Sequence, residues 1–280
     1  MKAAIFREVG QPLEIEEIQI SKPGPREVLV RTAAAGVCHS DLHFIEGLYP
    51  GQSPMVLGHE SAGVVEMVGS DVTYVKPGDH VITCLSVFCG HCEDCLTGHM
   101  SLCASSETRR THEEEPRLSQ ENKIVHQFAN LSSFAEQMLI HEHALVKIRE
   151  DMPLDRAALI GCGVTTGVGA VFHTAAVEPG STVAVIGCGG VGLSAINGAA
   201  MAGASKVIAI DMVDSKLEMA KDFGATHVVN GNNGDVVEQV RELTGGGVHY
   251  SFEAIGLKAT AEQSFSMLRP GGAATVIGMI

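Results

Sequence analysis

The sequence predicts an α/β chain with a β-rich part in front: short strands up to about residue 150, then a doubly wound parallel sheet. Three observations predict it. In the first half, short alternating apolar runs are separated by turn signals. From Pro153 onward, β-branched runs of strand length alternate with helix-length segments, the pattern of βαβ units. Aromatic residues are 4% of 280 residues and Trp is absent. The core is thus left to aliphatic side chains, as where parallel strands are covered on both faces.

The first-half runs are Glu14–Ile20, Glu27–Ala33, Ser61–Val68 and His80–Cys84, with turns at 22–25, 49–54 and 76–79. They suggest a sandwich or a partly open barrel. Residues 104–123 form a polar insert without apolar period. Its Glu113–Glu115 run against Arg109 and Arg110 reads as a solvated loop, and no function is assigned to it. Placing the boundary at 152/153 gives domains 1–152 and 153–280.

In the second domain, 155–175 is rich in Ala, Gly and Thr and helical in part. Strands are expected at 182–187, 206–212, 226–230, 250–256 and 273–280, with helices to about Ala202 and at 215–223, 235–244 and 258–269. That makes five strands, where the dinucleotide-binding sheet usually has six. The chain stops inside an apolar strand, so the sheet is expected to be incomplete and the chain to be part of a longer protein.

Charge and composition exclude several functions. With 19 basic and 33 acidic residues the formal charge is −14, the wrong sign for neutralising nucleic-acid phosphates or adhering to anionic membrane. Small molecules are the expected partners. Pro179–Ser205 carries no charged side chain, but glycines at 180, 187, 189, 190, 192, 198 and 203 divide it into strand, turn and buried helix, not a membrane span. The N-terminus has no apolar signal core. A cytoplasmic location and reduced cysteines are therefore expected, and clustered cysteines read as metal ligands first.

The dinucleotide site is the clearest motif. Gly187-Cys-Gly189-Gly190-Val191-Gly192 follows an expected strand and opens an expected helix. Gly187 permits the tight turn, Gly189 a close approach to pyrophosphate, and Gly192 close packing of helix on strand. Asp211, 19 residues beyond Gly192, ends the next strand, where it can accept both ribose hydroxyls. That favours NAD over NADP, because Met212, Val213 and Asp214 supply no cation for a 2′-phosphate. Lys216 is the nearest one, either touching the ribose or solvated. Cys188 reads as a small filler.

Cys89, Cys92, Cys95 and Cys103 are spaced so that one lobe, about 85–105, can supply four thiolates to a tetrahedral Zn²⁺. The iron–sulfur alternative expects a shorter last gap followed by Pro; here the gap is seven and Ala104 follows. Four protein ligands leave no open position, so this zinc would be structural. Cys38, His59 and Cys162 are dispersed, and spacing alone does not join them.

Five motifs in register do. GHESAGVV at 58–65, KPGDHV at 76–81, the four-cysteine lobe, GCGVTTG at 161–167 and GCGGVG at 187–192 run in the order seen in zinc-containing medium-chain alcohol dehydrogenases. The sequence resembles that family along its whole length.

The resemblance implies a GroES-like catalytic domain before a Rossmann domain, and a chain that would continue past its fifth strand in a homodimer or homotetramer. It implies a second, catalytic zinc on Cys38, His59 and Cys162, with Glu60 beside it and one position open to substrate. Polyol-type relatives carry an acidic residue where Cys162 stands, which favours the alcohol dehydrogenase branch. An alcohol at that zinc would ionise and release hydride to NAD. Ser40 and His43 would relay the proton, His39 would touch the pyrophosphate and Thr166 the nicotinamide, and Tyr49, Leu85 and Phe128 would line the substrate pocket. Within the class the alternative is a glutathione-dependent formaldehyde dehydrogenase; outside it, a non-catalytic zinc- and dinucleotide-binding relative or an inactive fragment.

Overall fold

In the computed structural model, which describes residues 1–279, the chain divides after Cys162 into two units. The division falls ten residues beyond the expected boundary. The reason is packing: Ala157 and Ala158, in the helical turns over 154–161, are buried with Ala62 and Ile82 of the first unit's sheet.

The first unit is built on strands β1 (Lys2–Phe6), β2 (Glu27–Gly36), β3 (Glu60–Val68), β4 (His80–Thr83), β5 (Gln137–His141) and β6 (Leu145–Lys147), with helix α1 (His39–Ile45) after β2. Five of these strands form an antiparallel sheet in the order β5-β2-β3-β4-β6. Its buried side chains include Val28, Val30, Val65, Val81, Met138 and Ile140. The remaining strand, β1, lies in a separate four-stranded sheet. The expected strand 14–20 is split: 14–17 pairs with β1, whereas 19–20 pairs with 118–120. Between them Ile18 is 2% exposed, in the core around Ile5 and Val56.

The insert is not wholly a solvated loop. Arg117 Nε donates to Glu27 Oε1 at 2.6 Å and Arg110 grips the same carboxylate, also bonding Ser21 and the Lys22 and Glu115 carbonyls. Glu27 is 6% exposed; without these partners it would be an unpaired buried charge. Glu113–Glu115 stay exposed, as expected.

The second unit begins with α2 (Gly163–Gly169) and continues β7 (Thr182–Ile186), α3 (Gly190–Met201), β8 (Lys206–Asp211), α4 (Asp214–Asp222), β9 (His227–Asn230), α5 (Val236–Thr244), β10 (Val248–Glu253), α6 (Lys258–Ser266) and β11 (Leu268–Val276). All five strands are parallel, in the order β9-β8-β7-β10-β11. Both faces are covered. Val183, Val185, Val207 and Ala209 pack with Ile196 and Ala199 of α3, while Ala184, Ile186, Ile208 and Ile210 pack with Val240 and Met267. The chain runs outward from β7 to β8 and β9 on one side and then crosses to β10 and β11 on the other, so a crevice opens at the carboxyl ends of β7 and β10.

The last strand departs from expectation. It starts at Leu268, runs through Pro270-Gly271-Gly272 and ends at Val276, instead of spanning 273–280; Ile280 lies outside the described residues. As an edge strand it can hold a proline that donates no ladder bond. Among the described residues no single helix is long and apolar enough to cross a membrane.

Candidate functional site

Three turns of the first unit bring metal donors together. Cys38 precedes α1, His59 and Glu60 open β3, and Cys162 ends the unit; one donor atom from each lies within 4.8 Å of all the others. Gly36 pairs with Glu60 across β2 and β3, and a Cβ there would stand 2.2 Å from Glu60 Oε2, so only glycine leaves the carboxylate its place.

Asp41 organises the set, and the sequence reading missed it. It is 1% exposed. Its Oδ2 accepts the Cys38 N–H at 3.1 Å, and its Oδ1 accepts the Gly58 N–H at 3.0 Å and faces His59 Nδ1 at 3.3 Å. With Nδ1 donating to the carboxylate, Nε2 of His59 is the nitrogen left for a metal. The signal available in sequence was an Asp three residues after Cys38, where an acidic side chain can reach back to a helix's first N–H.

Electrostatics fit the same role. A hydrogen bond from the Cys162 thiol, reinforced by His59, pulls Cys38 down to about 3 against the effect of burial. Cys162 is pushed up in turn by its bond to Cys38, by burial and by Glu60. Burial opposes a charge on His59, but Asp41 and Cys38 raise it to about 10. Concentrated negative charge around one imidazole, with two sulfurs, suits Zn²⁺.

Of the other site residues named from the sequence, Ser40 Oγ lies 3.6 Å from Cys38 Sγ. The His43 ring is 6.0 Å from His39 and 5.6 Å from Tyr49, and its buried Nδ1 has no hydrogen-bond partner among the described residues. Phe128 stands edge-on to His59 at 5.5 Å and to Phe44 at 4.8 Å. Left-handed backbone at Ala129 and Asn130 turns the chain just after it. Tyr49 and Phe128 are thus joined through Phe44; Leu85 stands beyond β4, 39% exposed.

The four-cysteine lobe converges as well. Sulfur separations are 3.9 Å for Cys89–Cys95, 3.4 Å for Cys92–Cys95 and 3.8 Å for Cys92–Cys103. A tetrahedron with Zn–S of about 2.3 Å has edges of about 3.8 Å. The backbone N–H of Cys89 points at Cys103 Sγ and that of Cys92 at Cys89 Sγ, and the His91 N–H helps pull Cys89 down to about 6. The ring of His143 stacks on Phe88 at 4.5 Å, anchoring the start of the lobe.

In the second unit, Gly187 adopts φ +97° between β7 and α3. A Cβ on Gly192 would lie 1.7 Å from the Gly187 carbonyl oxygen, whereas one on Gly189 would meet nothing within 4 Å. Close packing behind and open space in front, at the start of a 12-residue helix, give the loop from Gly187 to Gly192, Gly190 and Val191 included, a shape that could hold a phosphate. Asp211 ends β8. It accepts the Cys188 N–H on Oδ2 and the Met212 and Val213 N–H groups on Oδ1. A carboxylate has about four acceptor positions, so one remains, on the oxygen 4.0 Å from Lys216 Nζ. Cys188 is buried, its thiol pushed up to about 12 by burial and by Asp211. Thr166 lines a cleft with His173, Thr275 and Ile277 at the carboxyl end of β11.

Comparison with known proteins agrees. Residues 24–150 match the alcohol dehydrogenase GroES-like domain and 190–280 the zinc-binding dehydrogenase domain. The chain is 39% identical to an alcohol dehydrogenase class-3 of Oryza sativa subsp. japonica, over 99% of its own length and 75% of the relative's. Benzyl alcohol dehydrogenase from Acinetobacter calcoaceticus superposes with a TM-score of 0.91 at 37% identity, covering 100% of this chain and 77% of that one. A zinc-binding dehydrogenase from Sinorhizobium meliloti 1021, bound to NADP, gives 0.83 at 29% identity, with coverage of 100% and 77%.

Proposed function

The chain belongs to the zinc-binding alcohol dehydrogenase family, and from that membership we propose that it interconverts alcohols with aldehydes or ketones using NAD. In this reading one zinc is held by Cys38, His59 and Cys162 and a second by the four-cysteine lobe. The observation that carries the reading is the convergence of Cys38, His59, Glu60 and Cys162 around one point, backed by the buried Asp41.

When bound, zinc supplies Lewis acidity that makes an alcohol hydroxyl acidic near neutral pH, and the oxidised dinucleotide accepts hydride. The chain's own groups position and deprotonate. Asp41 fixes the tautomer of His59. Ser40 Oγ, beside Cys38, takes the hydroxyl proton as it gives up its own, which His43, whose Nδ1 has no partner among the described residues, carries outward. Tyr49, Phe44 and Phe128 offer an aromatic wall to an apolar alcohol. Asp211 keeps one acceptor position for a ribose diol and would repel a 2′-phosphate, which supports NAD. We further propose a reducing, cytoplasmic setting and a homodimeric or homotetrameric enzyme.

The test is an alcohol panel with NAD and with NADP, extended to formaldehyde plus glutathione. Cys38→Ser should abolish alcohol turnover while NAD still binds; retained turnover would overturn the mechanism.

A further inference from the structure

The side chains of His91 and Glu107 have none of the roles above, yet they form a second donor set that overlaps the lobe. One atom each of Cys89, His91 and Glu107 lies within 4.8 Å of the other two. His91 Nε2 and Glu107 Oε1 are 2.8 Å apart, on side chains 61% and 52% exposed, and Ser105 Oγ also donates to Glu107 Oε1 at 2.8 Å. Cys89, by contrast, is 3% exposed and is a corner of the four-sulfur cluster. The two sets therefore share one buried thiol. The outer set presents an imidazole and a carboxylate to solvent.

Donor chemistry gives the two sets different tasks. Four thiolates would hold Zn²⁺ tightly, and with Cys89 buried and Cys92, Cys95 and Cys103 half-buried they meet a hydrated ion less readily than the exposed outer pair. Imidazole and carboxylate are harder donors that can take a hydrated divalent cation without stripping it. A shared sulfur lets an ion pass from one set to the other by stepwise ligand replacement, never losing all its protein ligands.

We propose that His91 and Glu107, with Cys89 as the shared corner, form an outer capture site for divalent zinc, through which the four-cysteine site is filled and emptied. The inference rests on the reading that the lobe holds a structural zinc.

The test is exchange of the zinc-loaded protein's metal for cadmium, followed by cadmium NMR, in which a four-thiolate ion and a two-thiolate, one-imidazole ion give separate resonances. In His91→Gln and Glu107→Gln, the four-thiolate signal should appear about tenfold more slowly, or ~1.4 kcal/mol of barrier, with final occupancy unchanged. By reversibility, release of the lobe's ion to a chelator should slow equally. Wild-type exchange rates in the double variant would overturn the proposal. So would faster release, which would mean that the pair merely holds the loop closed. If the unsubstituted protein gave no four-thiolate signal, the structural-zinc reading itself would fall.

Discussion

Replacing Asp41 by Asn keeps the side chain's size but takes away an acceptor, and the consequence can be worked atom by atom. The carboxylate faces three donors: the Cys38 N–H on one oxygen, and the Gly58 N–H and His59 Nδ1 on the other. An amide oriented to serve Gly58 and His59 turns its NH₂ toward the Cys38 N–H. Flipped, it faces two donors with its own. At least one buried N–H loses its partner, a cost of about 1–3 kcal/mol. His59 also loses a charged partner, and losing such an outer contact lowers metal affinity about 10–100-fold. The assay has two arms: chelator competition for the ion at Cys38, His59 and Cys162, and denaturant unfolding of the metal-free protein, which isolates the hydrogen-bond term. Asp41→Asn with unchanged affinity and unfolding within about 0.5 kcal/mol of the native protein would refute the role given to this carboxylate.

Three further outcomes are expected. Asp211→Asn keeps one side-chain oxygen to accept the neighbouring backbone N–H groups but removes the charge offered to the ribose; a lost hydrogen bond to a charged group is worth about 1.5–3 kcal/mol. NAD affinity should fall at least about tenfold and the preference for NAD over NADP should shrink; an unchanged ratio of kcat/KM would contradict the assignment. Glu27→Gln leaves Arg110 and Arg117 without their buried counter-charge and should destabilise the first unit by about 3–5 kcal/mol in denaturant titration; a cost below about 1 kcal/mol would show the cluster to be merely peripheral. Burial, with Arg26 and His143 nearby, holds His141 down to about 4 from an ordinary 6.5. Between those values the unfolded chain carries the extra proton, so stability is full above about 6.5 and declines on acidification toward 4, by on the order of 2–3 kcal/mol. His141→Asn should flatten that decline, and an equal slope in both proteins would count against it.

What the sequence disclosed depended on how local each signal was. The Gly187–Gly192 loop, Asp211 and the four lobe cysteines each lie within one or two adjacent elements, so spacing specified their geometry. Cys38, His59 and Cys162 are drawn from three turns, and only the resemblance of whole motifs joined them. Asp41 was not legible because a carboxylate at a helix start ordinarily faces water. Its burial comes from the turn before β3, where Gly58 lies 17 residues later. Likewise Arg110 and Arg117 read as part of a solvated insert because their partner, Glu27, is 83 and 90 residues away. At β11 the strand starts earlier than expected because Leu268 already pairs with Val248 of β10, ahead of a register shift after which pairing resumes at Tyr250 and Ala273.

The central claim is that Cys38, His59 and Cys162 hold the zinc on which alcohol oxidation depends. Zinc content and NAD-linked turnover measured on the same samples of native protein and His59→Ala test it most directly. The native protein should carry two zincs per chain. His59→Ala should retain the lobe's ion and NAD binding, lose the other ion and lose turnover. Turnover by His59→Ala with only one zinc per chain would contradict the claim.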